Sequence, residues 1–402
     1  KENSMKFIYT SLLMCFFSYA VNAQLPHPLI QKLLNDMQDD SLDMHVKELT
    51  GEQSCIVKGK TATIKNRVSK TGNDLAADYL KERMESCGFT VNDQVYSSGG
   101  RNIIAEQKGA LYPDKKYIIC AHYDAVADYC ADDDVSSCSA ILEMARLLAK
   151  HKFKYTIVYA FWDEEEQGLV GSAYYAKLAK KNNENIVGVL NIEMLGYDSD
   201  NDTKYDIHTN ASSLTLSNKL KDINTGYAFK LKPNVINPGT DRSDHGSFWA
   251  QSYPAICFGE AFFSGDANPS YHKATDRIKL FNLPYYHGLC RLSLAAIATF
   301  ADPYDVNPGI NTPDAQSKLK LDTYPNPAKE SFTVCYDLPE KEAIQINLVN
   351  IAGGVTEILF NGNKDPGSYQ HVVNTENIAA GVYIISIKTN SQTYSKRILI
   401  EK

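Results

Sequence analysis

The sequence predicts an α/β chain: a mixed, mostly parallel sheet flanked by helices, followed by a small all-β sandwich. Three observations predict it. Short β-branched and aromatic runs, such as Tyr117 to Ala121 and Thr156 to Trp162, alternate with amphipathic helical segments as far as residue 302, the rhythm of a sheet covered on both faces. Composition then shifts: Pro303, Pro308, Pro313, Pro325 and Pro327 crowd together among Asn and Asp, which is a linker signal. Beyond Tyr324 the chain becomes short alternating runs parted by turn residues, as in a sandwich. The expected divisions are upstream residues and a signal peptide at 1–23, the α/β domain at 24–302, a Pro-rich linker at 303–323 and the sandwich at 324–402.

Each element has a local reason. Lys1 to Ser4 precede the expected initiator Met5. From Met5 to Ala23 the chain reads as a secretory signal: Lys6 is the basic start, Phe7 to Ala20 is largely apolar, and Val21-Asn22-Ala23 is a small-residue cleavage site. The run falls short of the ~20 apolar residues of a membrane span, and no other stretch qualifies, so the mature protein is expected to be soluble. Pro28 to Met37 places Leu29, Ile30, Leu33 and Leu34 at helical spacing. Asn73 to Cys87 does the same with Leu75, Ala76, Tyr79, Leu80 and Met84, and Gly88 stops it. Phe89 to Val95 and Asn102 to Lys108 read as strands. Ser136 to His151 is amphipathic, with Ala140, Ile141, Met144, Leu147 and Leu148 on one stripe. Further helices are expected at Ser172 to Lys180, Ser212 to Ile223 and Leu283 to Phe300, and strands at Ile186 to Met194 and Pro254 to Gly259. In the sandwich, six runs between Phe332 and Ile400 are expected to reverse at Gly353-Gly354, Asn361-Gly362 and Pro366-Gly367.

Charge bounds the partners. The 402 residues carry 41 Lys+Arg against 48 Asp+Glu, a net charge of -7. The basic runs are short and read as solvated helix faces, so no nucleic-acid partner is expected. Of nine cysteines, Cys15 would leave with the signal. No Cys-x-x-Cys pair is present, which argues against thiolate zinc ligation. Cys130 and Cys138 flank an Asp cluster, where they either pair or sit as two small buried thiols.

The chemistry gathers where strands end. His122-Tyr123-Asp124, Ala131-Asp132-Asp133-Asp134 and Asp163-Glu164-Glu165-Glu166-Gln167-Gly168 are the clusters, the first and last directly following apolar runs. Open α/β sheets bind ligands outside the carboxyl ends of their strands. That much negative charge, brought together and buried, implies a cation. His122, Asp133, Glu166, Glu193 and His272 supply two imidazoles and three carboxylates, a donor set that suits zinc. A lone Glu at a strand end or a lone His is most often a solvated surface residue. Five in this context point instead to a two-zinc hydrolase, with one carboxylate shared between ions about 3.5–4 Å apart.

These motifs, with Glu165-Glu166-Gln167-Gly168-Leu169-Val170-Gly171-Ser172, Ile192-Glu193-Met194, Ser243-Asp244-His245 and Tyr271-His272, stand in the order found in the M28 family of dizinc aminopeptidases, which most of residues 24–302 resembles. The resemblance implies the zinc-peptidase fold and peptide substrates. It implies that Asp133 bridges two zinc ions, that His122 and Glu193 complete one and that Glu166 and His272 complete the other. Glu165 is then left unligated as the general base, Asp124 fixes the tautomer of His122, and His245 near the site is either structural or a support for a ligand rather than a ligand itself. The chain departs from the family pattern at Glu193, where Asp is frequent, and at Cys130 and Ser137, where Gly is usual. A tyrosine that assists the oxyanion in some members has no counterpart around Thr240 to Arg242. Arg242 either substitutes for it or pairs with a local Asp.

Tyr324-Pro325-Asn326-Pro327, Asn350-Ile351-Ala352-Gly353-Gly354, Ala380-Gly381-Val382-Tyr383 and the ending from Lys396 to Lys402 resemble a type IX secretion sorting domain. That implies engagement with the type IX secretion machinery and a secreted or cell-surface location. A carbohydrate- or protein-binding module is the competing reading; it should cluster exposed aromatics, whereas Tyr336, Tyr369, Tyr383 and Tyr394 are scattered along the strand patterns. The expected function is a secreted zinc aminopeptidase. The alternatives are a single-zinc glutaminyl cyclase of the same fold, a carboxypeptidase, and an inactive receptor-like or adhesive surface protein.

Overall fold

The computed structural model describes residues 26–304, 319–338, 340–350, 354–389 and 393–402. The expected signal peptide, residues 305–318 of the expected linker and the Gly353 turn position lie outside the described residues. The chain divides into two compact units, between Tyr304 and Asp305.

The first unit opens with two helices. α1 (Pro28–Asp36) starts on His27, whose ring accepts from Leu29 N, with a proline in its first turn. α2 (Asp39–Leu49) was not expected from the sequence, yet it buries Leu42, Val46 and Leu49 completely. The segment 28–49 is therefore part of the core. A hairpin of β1 (Cys55–Val57) and β2 (Lys60–Ala62) leads to α3 (Lys70–Ser86). That helix begins three residues earlier than expected, because Ser69 Oγ caps it by accepting from Gly72 N.

The sheet follows: β3 (Val91–Val95), β4 (Arg101–Gln107), β5 (Tyr112–His122), α4 (Ser137–Leu148), β6 (Tyr155–Trp162), α5 (Val170–Lys181), β7 (Asn185–Glu193), β8 (Lys204–His208), α6 (Leu214–Gly226), β9 (Lys232–Ile236), α7 (His245–Trp249), β10 (Ala255–Glu260) and α8 (Leu283–Ala301). The strand order is β3-β4-β6-β5-β7-β10-β8-β9. The pairs β5/β6, β5/β7, β7/β10 and β8/β9 are parallel, and β3/β4, β4/β6 and β8/β10 are antiparallel. This is the mixed, mostly parallel sheet expected. Its middle strands β5, β6, β7 and β10 all run the same way, so His122, Trp162, Glu193 and Glu260 lie at one edge. Apart from its first residue, β6 is buried throughout, and so is β10, as strands covered on both faces must be.

The second unit is entirely antiparallel. β11 (Lys320–Tyr324), β12 (Ser331–Leu338), β13 (Glu342–Asn350), β14 (Val355–Lys364), β15 (Gly367–Asn374), β16 (Gly381–Lys388) and β17 (Thr393–Ile400) form a sheet of order β11-β12-β15 and another of order β14-β13-β16-β17. Phe332, Val334, Tyr336 and Leu338 alternate into a core shared with Ile344, Ile346, Leu348, Ile385 and Ile387. Asn361-Gly362, expected as a turn, lies inside β14, where Gly362 pairs with Ile344. Tyr336, Tyr383 and Tyr394 are buried, and Tyr336 stacks on Tyr369 at 5.4 Å. These rings are spent on packing rather than presented as a binding face. Among the described residues no helix is long and apolar enough to cross a membrane.

Candidate metal centre

Strand register assembles the site. β5 and β6 pair His122 with Trp162, so the loop carrying Glu165 and Glu166 leaves the sheet beside the imidazole. β7 and β10 pair Glu193 with Gly259. A Cβ on Gly259 would stand 1.6 Å from the Glu193 carbonyl oxygen, so that position admits only glycine. Gly171 is held likewise: a Cβ there would meet Asn102 Oδ1 and the Asp163 carbonyl at 2.3 Å, which is why the glutamate loop turns into α5 on a glycine.

Other carboxylates hold the ligand loops. The wide turn Ala131–Ser136 presents Asp133, and Asp276 Oδ2 accepts from the amides of Asp132 (2.9 Å) and Asp133 (3.2 Å). Asp124 accepts from Glu165 N (3.0 Å) and Glu166 N (3.2 Å). His122 Nδ1 faces Asp124 Oδ1 at 3.3 Å without full hydrogen-bond alignment. Asp124 thus steadies the glutamate loop as well as the ring. Ser243 Oγ donates to Glu193 Oε2 at 2.5 Å. Buried Arg67 donates to the carbonyls of Leu49, Tyr123, Tyr129 and Cys130, clamping the loop after His122. Cys130, Glu164, Met194 and His272 all adopt positive φ. Left-handed backbone is costly for side chains that carry a Cβ and concentrates at functional sites. Cys130, with φ at 44°, takes up a conformation that glycine would adopt without strain.

The five expected ligands converge. His122 Nε2 is 3.1 Å from Asp133 Oδ1 and 3.4 Å from Glu193 Oε1. His272 Nε2 is 3.4 Å from Asp133 Oδ2 and 3.2 Å from Glu166 Oε2. The two imidazoles therefore face opposite oxygens of one carboxylate, each with a second carboxylate beside it. Asp134 competes with Asp133: it too brings a ligand atom close to His122 and Glu193. Its Oδ1 accepts from Met194 N at 3.0 Å and its Oδ2 is buried without a partner among the described residues, whereas the two oxygens of Asp133 face both imidazoles. Asp132 is engaged by Gly196 N and Asn268. Glu164 lies off the array.

Electrostatics test whether cations fit. Burial, with Asp244 and Glu193 near, pushes Glu165 up to about 10; burial and Asp133 push Glu166 up to about 8. Asp133 Oδ2 and Glu166 Oε1 are buried with no hydrogen-bond donor among the described residues. Crowded carboxylates with unspent oxygens, interleaved with two imidazoles, are a donor set that divalent zinc satisfies. The eight cysteines from Cys55 to Cys335 are free thiols. Cys138 points at the His122 carbonyl and Cys130 at that of Ala127, so neither joins the other.

The array opens on a cavity of ≈ 180 Å³ lined by Glu165, Met194, His208, Arg242, Glu260, Phe262, Phe263 and Tyr271 among others. Tyr271 stacks on His272 at 3.7 Å. Sequence reasoning missed this role, although the tyrosine precedes the ligand directly. His245, buried, holds the Thr240 carbonyl at 2.7 Å and is structural rather than a ligand.

Residues 102–297 match the model of Peptidase family M28. The match lies within the first unit. A probable zinc metalloprotease of Pyrenophora tritici-repentis is 32% identical to this chain over 197 residues, 41% of each chain. Leupeptin-inactivating enzyme 1 of Streptomyces exfoliatus is 28% identical over 186 residues, 44% of this chain and 41% of its own length. The chain thus spans less than half the length of these relatives. Among solved structures, the LapA aminopeptidase of Legionella pneumophila shares the fold with a TM-score of 0.59 at 23% identity, over 68% of this chain and 74% of its own. The glutaminyl cyclase of Bacteroides thetaiotaomicron shares it with a TM-score of 0.54 at 18% identity, over 65% and 97%. Residues 322–401 match the Secretion system C-terminal sorting domain.

Proposed function

We propose that this M28 domain is a two-zinc aminopeptidase, exported through type IX secretion machinery by its sorting domain and acting on peptides outside the cell or at its surface. One observation carries the catalytic part: His122 and His272 sit on opposite oxygens of Asp133, each completed by its own glutamate. In this reading His122, Asp133 and Glu193 hold one zinc, and Asp133, Glu166 and His272 hold the other. Bound zinc supplies Lewis acidity toward the substrate carbonyl and makes water acidic enough to attack near neutral pH. Glu165, left out of both ligand groups, takes the proton of the attacking water and returns it to the departing amine. Asp124 keeps Glu165 in reach by holding its amide.

Metal analysis and a panel of aminoacyl-coumarins, with and without a chelator, test this. Two zinc ions per chain and chelator-sensitive release of the N-terminal residue are expected. The shared fold keeps the cyclase reading in play, and a ratio near one zinc per chain would favour it. Glu165→Gln is expected to lower kcat by about 10²–10⁴-fold with zinc content retained. Unchanged turnover would remove Glu165 from the chemistry.

A further inference from the structure

The cavity beside the metal centre holds polar groups that the chemistry above leaves idle. Two carboxyl groups on its wall lie outside the ligand array and the base, and each accepts from a backbone amide. Asp206 accepts from Asn234 (2.9 Å), from Phe263 N (3.0 Å) and from Ser264. Glu260 Oε2 accepts from Tyr197 N (2.9 Å), while its Oε1 is buried with no partner among the described residues. Two donors remain. Arg242 is the one Lys or Arg side chain lining the cavity. It is exposed and has no ion-pair or hydrogen-bond partner among the described residues. His208 reaches the same wall from β8. Its Nδ1 accepts from Thr240 N at 3.3 Å, which leaves the ring proton on Nε2. Burial lowers its pKa, so the ring is a neutral donor, held edge-on to Phe263 at 5.0 Å. Thr240 ties this ring to the loop that carries Arg242 two residues on.

We infer that Arg242, with His208 beside it, binds a carboxylate of the substrate distinct from the reacting carbonyl. The inference rests on the peptidase reading for the substrate's orientation and deepens it by naming a recognition element. A guanidinium matches a carboxylate as a two-pronged donor, and that of Arg242 faces the cavity with no ion-pair partner among the described residues. Two sources supply that chemistry: an acidic side chain on the N-terminal residue, or the free carboxyl end of a dipeptide.

Binding to the full-length, zinc-loaded Glu165→Gln chain tests this by calorimetry, independently of turnover. The probes are Leu-Gly-amide, with no carboxylate; Glu-Gly-amide, with a side-chain carboxylate; and Leu-Gly, with a terminal one. At least one carboxylate peptide is expected to bind about tenfold more tightly than Leu-Gly-amide, a difference of about 1.4 kcal/mol. Adding Arg242→Gln is expected to bring that ratio close to one. Gain with Glu-Gly-amide alone assigns the side chain as the source; gain with Leu-Gly alone assigns the terminus. Equal binding of all three, or a ratio that survives Arg242→Gln, overturns the inference. Failure of the aminopeptidase reading shows elsewhere, as absence of leucine release from Leu-Gly-amide by the unmutated chain, while the binding ratio is still read.

Discussion

The two units bury different chemistry. In the C-terminal sandwich the buried polar side chains among the described residues are threonines: Thr323, Thr375 and Thr389. The other buried side chains described there are aliphatic or aromatic, set by period-two alternation. In the peptidase unit Asp132, Asp133, Asp134, Asp163, Asp244, Glu260 and Asp276 are all buried. None of these seven forms an ion pair with Lys or Arg among the described residues: most accept from backbone amides or from Asn73 and Asn268, and Asp244 has no hydrogen-bond partner there. Buried like charges oppose folding. The sandwich is a structure whose interior only has to pack. The peptidase unit accepts local conflict at the ends of its strands because metal binding resolves it.

The sharpest way to break this comparison is Asp133→Asn. Activity is expected to fall about a thousandfold, several kcal/mol of transition-state stabilisation, with zinc content reduced in parallel. Unfolding of the same variant in chelator should show no loss of stability, because one of several repelling carboxylates is gone. A lower midpoint in chelator would mean that the acid array is structural, and the contrast between the units would fail. Next in size is Ile385→Ala, which hollows the sandwich at a completely buried position. A loss of about 2–5 kcal/mol is expected, read by hydrogen exchange within β13 and β16, with peptide hydrolysis unaltered. Hydrolysis that declined in step would show that the peptidase unit depends on the sandwich for its integrity.

The contrast also explains what could be read from the sequence. β5, β6 and β7 were legible because they are long apolar runs, and the ligands were legible because each follows such a run or lies in a motif of the family pattern. α2 was not: Leu42, Val46 and Leu49 form one narrow stripe among Asp39, Asp40, Asp43, Lys47 and Glu48. β8 and β9 have five residues each, and a strand that short, with charged or proline positions, has little periodicity to detect. Asn361-Gly362 is a strong local hairpin signal, overridden because β14 continues past it in register with β13. The supports of the site were invisible for another reason. Asp276 serves an amide 144 residues away, and Arg67 closes on carbonyls as far as 63 residues away. No local pattern marks a partner that only the fold brings near.

The smallest expected effect concerns acid. His45 joins α2 to α3: its Nδ1 lies 2.7 Å from the Tyr79 hydroxyl, which donates to Glu48 at 2.5 Å. Burial, followed by the charges of Arg83 and Arg146, lowers its pKa to about 4. A depressed imidazole binds its proton less readily folded than unfolded. Its contribution is therefore intact above the unfolded pKa of 6.5 and is lost as pH falls toward 4, by up to about 3 kcal/mol. Glu165, Glu166 and Asp276 at the metal centre, whose pKa values are raised by burial, act in the opposite sense, so the total pH profile does not isolate this residue. The difference between wild type and His45→Gln does. That difference should favour wild type most at pH 7 and shrink by about 3 kcal/mol by pH 4. Tryptophan fluorescence reads it cleanly, because Trp162 and Trp249 both lie in the peptidase unit. A difference that stays constant between pH 7 and pH 4 would show that His45 takes up its proton in the folded chain, with the Tyr79–Glu48 pair accommodating the charge.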